Sequence, residues 1–245
     1  MRSTFDGDIF EDSRGFSLPY RRFIPPEYSE PSRSLERFPL ILSLHGVGEC
    51  GDDNEAQLGN GVAELLGSLT SPHAPCFSVV PQCPTGRQWV DVSYRDQRHV
   101  IPAELALPLF ATLELLDWHY AQYRIDLGRI YLIGLSMGGY GVWDLLCRLP
   151  ERFAAAVPIC GGADDNVVAK ARSVPIWAFH GALDPVVPVK RSRRAIEAVR
   201  AAGGTPRYTE YPDVGHDSWT GAFAEPDLLP WLCSQRAGVP DPWVT

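Results

Sequence analysis

The sequence predicts an α/β fold: a doubly wound, mostly parallel sheet flanked by helices, with no large lid or cap domain. Three observations predict it. Bounded apolar runs of strand length recur along the chain, helix-period apolar patterns fall between them, and Gly and Pro clusters separate one from the next. Residues 16–24 read as an antiparallel strand at the sheet edge, and the Pro-rich segment 25–37 reads as loop. The run PLILSLHG at 39–46 is a bounded, mainly apolar run of the kind made by a strand covered on both faces of a parallel sheet. Residues 76–82 repeat that pattern. Next, Leu105, Leu109, Leu113, Leu116 and Tyr120 recur at three- and four-residue steps and predict a helix, which Pro108 kinks or starts. Strand 129–136, helix 137–149 with Val142, Leu145 and Leu149 inward, and strands 153–160 and 175–181 follow. Helix 190–202 buries Ala195, Ala198 and Val199 and ends at Gly203-Gly204, after which 206–212 reads as a strand.

Composition bounds the function. With 45% apolar residues, 7 Trp, 9 Tyr and 10 Phe in 245 residues, the chain can bury a full core without staples, and residues 1–245 are expected to form one domain. Acids outnumber bases 30 to 22 for a net charge of −8, which argues against a broad nucleic-acid face or an anionic membrane surface. No run is apolar for the length a membrane span needs. Asp6, Asp8, Glu11 and Asp12 stand where a signal peptide needs its apolar segment, so a cytoplasmic location is expected, with a secreted mature form left open. The six cysteines lack zinc-ligand spacing, and a Cys76–Cys83 bridge is conceivable.

The sharpest chemical signal is Gly134-Leu135-Ser136-Met137-Gly138-Gly139, between an apolar strand and a helical pattern. That is the setting of a nucleophile elbow, in which a serine hydroxyl stands on a sharp strand-to-helix turn and glycines let neighbouring backbone pass closely. The Met137 N–H, in the first turn of the helix, is placed to stabilise an oxyanion. A serine is a weak nucleophile until a base accepts its proton, so an acid and a histidine must follow. Asp184 in HGALDPVVP and His216 in DVGHDSW supply them, each on a loop after a strand. Asp164, Asp165 and Asp217 are the weaker candidates for the acid. His73, His99 and His119 read as surface or packing residues. The turn His45-Gly46-Val47-Gly48 ends strand 39–45 where a second oxyanion donor is needed, and Val47 is the chosen N–H, with Gly46 or Gly48 as alternatives. Glu49, Asp52 and Asp53 lack the spacing of a hard-cation loop, so no metal and no cofactor are expected.

Over about residues 18–235 the chain resembles α/β-hydrolase esterases, in particular the group containing feruloyl and acetylxylan esterases and phospholipase/carboxylesterase-like proteins. The resemblance rests on LHGVGECGDDN (44–54), VVPQCPTGRQWVD (79–91), RIYLIGLSMGGYGVWDLLCRLPERFAAAVPICGG (129–162), HGALDPVVP (180–188) and YPDVGHDSW (211–219). It implies Ser136 as nucleophile, Asp184 as acid, His216 as base, Val47 and Met137 as oxyanion donors, and Trp89 as a wall of the substrate cleft. Cys50 departs from the pattern, since the similar proteins often carry Arg there. Trp219 stands beside His216 and is a second candidate for substrate contact. Only 14 residues separate strands 153–160 and 175–181, too few for a helical lid, so an open groove is expected. Such a groove suits short-chain or aromatic acyl esters and sugar esters, with a small-molecule or oligosaccharide ester as substrate. A serine peptidase or thioesterase with the same triad, and a non-catalytic binding protein on this fold, are the alternatives. Amide cleavage demands protonation of a poor leaving amine and usually a gating domain, for which 245 residues leave no room.

Overall fold

The computed structural model describes residues 4–68 and 75–238. Its centre is one sheet of eight strands: β1 (Asp6–Glu11), β2 (Ser17–Phe23), β3 (Phe38–Leu44), β4 (Phe77–Pro81), β5 (Ile125–Leu135), β6 (Ala155–Ile159), β7 (Trp177–Gly181) and β8 (Arg207–Tyr211). They lie in the order β1-β2-β4-β3-β5-β6-β7-β8. β2 pairs antiparallel with β1 and β4, and the remaining pairs are parallel. Six helices complete the frame: α1 (Val62–Gly67), α2 (Leu107–Gln122), α3 (Met137–Arg148), α4 (Lys190–Ala201), α5 (Trp219–Phe223) and α6 (Leu228–Ser234).

The continuous apolar runs are explained by helices on both faces, because alternate residues of a strand point to opposite sides. Leu40, Leu42 and Leu44 of β3 and Ile130 and Leu132 of β5 pack with α2, α3 and α4. Their neighbours Ile41, Tyr131, Ile133 and Leu135 pack on the other side with α1, Ala222 of α5 and α6. Each large aliphatic side chain buried this way contributes roughly 1.5–3 kcal/mol. An exposed ion pair such as Arg193–Glu210 is worth only about 0–1 kcal/mol. The two apolar layers therefore hold the sheet.

Pro108 starts α2 rather than kinking it, since it lies in the first turn where its missing N–H costs nothing. The expected edge strand is displaced inward by one place. β2 has β1 outside it, and DGDIFE gives no apolar alternation because its side chains face solvent almost throughout. The six strands β3 to β8 all run the same way, so the loops after β3, β5, β7 and β8 gather at one edge of the sheet. That edge carries the candidate site.

Candidate active site

Ser136 lies between the end of β5 and the first residue of α3, with φ 52° and ψ −116°. A non-glycine residue at positive φ stores roughly 1–3 kcal/mol of strain, held here by the surrounding packing. The Ser136 N–H donates to Ile159 O at 2.9 Å, tying the turn to β6. Gly138 is required for a different reason: a Cβ there would stand 1.9 Å from Leu44 O. Any side chain would force α3 away from the end of β3.

The turn brings the Ser136 hydroxyl to His216 Nε2 at 2.9 Å, while His216 Nδ1 faces Asp184 Oδ2 at 2.7 Å. A carboxylate only accepts, so Nδ1 carries the proton and Nε2 is left to accept from the serine. The Asp184 carboxylate is entirely buried, whereas the His216 side chain is 19% exposed. Burial alone would raise the Asp184 carboxyl. Hydrogen bonds from His180, His216 and the amides of Val187 and Val186 outweigh it and hold the group well below the usual carboxylate range. The acid is thus an anion that meets four donors: Oδ1 takes the Val186 and Val187 N–H groups at 2.8 and 2.9 Å, and Oδ2 takes both imidazoles. The backbones of the loops bearing acid and histidine also touch directly, since a Cβ on Gly181 would lie 2.0 Å from Gly215 O.

Gly46 packs against the serine so closely that an added Cβ would meet Leu135 Cδ1 at 2.9 Å and Ser136 Cβ at 3.5 Å. Val47 follows as the first residue of a 3-10 turn, and Met137 is the first residue of α3. N–H groups at such positions have no acceptor within their own turn and are available to an anion. Glu49 fixes the Val47 turn by accepting the Gly46 N–H at 2.9 Å and Asn60 Nδ2 at 2.8 Å. Behind it, burial holds His45 down to about 4, so its neutral ring accepts the Cys83 N–H on Nε2 and faces Gly46 O with Nδ1.

Trp89 is not a wall of the cleft. Its ring is fully buried edge-on against His45, and its Nε1 donates to His45 O at 3.0 Å, supporting the turn from behind. Trp219 is half-buried with its ring edge-on to His216, centroids 5.5 Å apart. A cleft of about 320 Å³ opens beside Val47, lined by Cys50, Thr85, Gly86, Arg87, Gln88 and Tyr94. A larger hollow of about 530 Å³ between α1 and α6 includes none of Ser136, Asp184 or His216 in its lining.

The rival acids are engaged elsewhere: Asp164 accepts from Ile101 N and Asn166, Asp165 pairs with Arg98 and Arg194, and Asp217 caps Thr220. His119 is buried on Leu115 O, His99 faces the Arg191 guanidinium, and His73 lies outside the described residues. Asp53 is used by the amides of Glu55 and Ala56 and by Gln82. Among the described residues one trio could offer a metal three close ligand atoms, Cys160, Asp184 and His216. Burial pushes the Cys160 thiol up to about 12, however, and His216 Nδ1 is already bonded to Asp184. Cys76 and Cys83 do not pair. The Cys76 thiol donates to Phe77 O, and the Cys83 thiol to Pro84 O at 3.9 Å.

Two members of the arrangement escaped the sequence reading. His180 Nε2 lies 3.1 Å from both Asp184 Oδ2 and Val187 O, two acceptors, so it carries a proton and is a second donor to the acid. The signal was the four-residue step from His180 to Asp184 across a tight turn. Glu49 was weighed only as a metal ligand, although Gly46-x-x-Glu49 has the spacing at which a side chain reaches back to cap a turn.

The phospholipase/carboxylesterase family pattern matches residues 31–225. Among curated proteins, a bifunctional acetylxylan esterase/xylanase of Neocallimastix patriciarum is 30% identical over 159 residues, 64% of this chain and 21% of its own length. A probable carboxylesterase of Oryza sativa subsp. japonica is 25% identical over 230 residues, 82% of this chain and 92% of its own. The crystal structure of a thermostable esterase superposes with a TM-score of 0.86 at 37% identity, covering 96% of this chain and 64% of that one. The chain therefore spans about a fifth of the fungal relative and under two thirds of the crystallised esterase.

Proposed function

This chain belongs to the phospholipase/carboxylesterase family, and we propose that it hydrolyses ester bonds as a serine carboxylesterase working through an acyl-enzyme. The observation that carries the reading is the chain of hydrogen bonds from the Ser136 hydroxyl through His216 to the Asp184 carboxylate. His216 Nε2 takes the hydroxyl proton as Ser136 Oγ attacks the ester carbonyl. The oxyanion that forms is met by the Val47 and Met137 N–H groups. His216 then gives its proton to the leaving alcohol, and water, activated by the same nitrogen, releases the acid and regenerates Ser136.

The substrates proposed are esters with a short or single-ring acyl group, sugar esters among them, bound as small molecules or oligosaccharides. The cleft of about 320 Å³ beside Val47 is near the small end for ligand sites, which suits a compact acyl group. The half-buried Trp219 ring beside His216 is the proposed platform for the other part of the ester. The test compares p-nitrophenyl acetate, butyrate and palmitate with methyl ferulate. Acetate, butyrate or ferulate should exceed palmitate by at least tenfold in kcat/KM, about 1.4 kcal/mol of discrimination. Preference for palmitate, or no turnover of any ester, would overturn the assignment.

His180 is a positioning residue in this scheme. His180→Leu removes one of the four donors on the buried acid and is expected to lower kcat by roughly ten- to a hundredfold at little change in KM. His180→Gln, which restores an N–H near the Nε2 position, should recover most of the loss. Equal damage from both variants would mean that His180 merely fills space.

A further inference from the structure

Two cysteines from separate segments meet at the rim of the cleft. Cys50 ends the turn that begins at Val47, its N–H donating to Val47 O at 3.4 Å, and its half-buried side chain lines the cleft beside Tyr94 and Arg87. Cys83 is buried two residues beyond β4. Three bonds clamp the segments together: Gly51 N–H to Cys83 O at 3.1 Å, Gln82 Nε2 to Glu49 O at 3.1 Å, and Cys83 N–H to His45 Nε2 at 2.8 Å. The Cys83 thiol donates to Pro84 O at 3.9 Å, and its side chain interacts with that of Cys50. Charged and titratable groups around the pair are Glu49, Asp91, Arg87 and Tyr94. Their interaction favours the thiolate on Cys50, the half-buried member nearer the opening, and burial helps keep Cys83 protonated behind it.

We propose that Cys50 and Cys83 are a modification site at which a small hydroperoxide closes a disulfide, and that closure slows the neighbouring ester hydrolysis. The Cys50 thiolate attacks the outer oxygen of the hydroperoxide, the O–O bond breaks, and the alkoxide takes a proton and leaves as alcohol. Cys50 is then a sulfenic acid. The Cys83 sulfur attacks the Cys50 sulfur, the S–O bond breaks, and water leaves with the Cys83 proton. Two thiols and one hydroperoxide give one disulfide, one alcohol and one water, with two electrons passing from sulfur to the peroxide. Bonding draws the two sulfurs together to about 2.05 Å. The exposed turn carrying Cys50 has more room to move than the buried Cys83, and Val47 is on that turn. The effect on turnover rests on the esterase reading, with the Val47 N–H as oxyanion donor.

The test treats the full chain with excess hydrogen peroxide, alkylates it under denaturing conditions, and maps the linked peptides beside the hydrolysis rate. The six free thiols should fall to four, with Cys50 and Cys83 in one linked peptide. kcat for p-nitrophenyl butyrate should fall roughly tenfold and return with dithiothreitol. Cys83→Ser, compared with its own untreated rate, should give no linkage and carry Cys50 on to sulfinic acid, which dithiothreitol does not reverse. A different cysteine pair, over-oxidised Cys50 in the unsubstituted chain, or a linked protein with unchanged kcat overturns the proposal. The peptide map does not depend on turnover, so an untreated protein without esterase activity would count against the ester reading while the map still decides the pair.

Discussion

Replacing Ser136 with alanine is expected to lower kcat for p-nitrophenyl butyrate by about 10⁴-fold, leaving what the oxyanion donors and substrate binding supply. The residue is only 7% exposed and its Oγ bonds only to His216, so the variant loses the attacking atom and little else. Alanine inherits the same positive φ as serine, and the strain is common to both proteins. Thermal unfolding should therefore shift by no more than about 0.5 kcal/mol-equivalent. A rate within tenfold of the unsubstituted enzyme, in a folded variant, would place the chemistry elsewhere.

Asp184→Asn should cost nearly as much activity, about 10⁴-fold, and stability besides. Four N–H donors converge on this side chain and no acceptor does. An asparagine must turn its own NH₂ either toward the two imidazoles or toward the Val186 and Val187 amides. Either way donors face donors at a site closed to water, at a cost of roughly 1–3 kcal/mol. The pH dependence separates this from a general loss of packing. The Asp184 carboxyl is held below its ordinary value of 3.8 in the folded protein, so its contribution is complete above that pH and fades as pH falls below it. Denaturant titrations should show the gap between parent and Asn variant narrowing below about pH 4. A constant gap from pH 7 to 3 would show that the charge is not what the variant loses.

Burial decided which parts were legible in the sequence. Where strands are covered on both faces, as along β3 and over residues 130–135 of β5, the chain is apolar at nearly every position, and the sequence reads that way. β1 is exposed and polar, and α1, α5 and α6 have seven residues or fewer, too short for a helical period to show. The proposed nucleophile, base and acid were visible because each sits just past a recognisable strand. Trp89 was misread because its partner, His45, lies 44 residues away, and no local pattern tells a tryptophan facing a ligand from one hydrogen-bonded to a carbonyl.

The contact between Gly181 and Gly215 sets the reach from acid to histidine by main chain alone. Leu183 N–H bonds to Val214 O at 3.0 Å and Ala182 N–H to Tyr211 O at 2.9 Å, so the pairing of β7 with β8 continues into both loops. Nothing compressible stands between them. The separation is gauged by the spacing of two neighbouring strands, a dimension that every parallel sheet shares and that side-chain substitutions nearby do not alter. Evolution can remodel the cleft walls at 85–88 and 94 to admit a new ester while this gauge stays untouched. On heating, the spacing holds for as long as the sheet itself does.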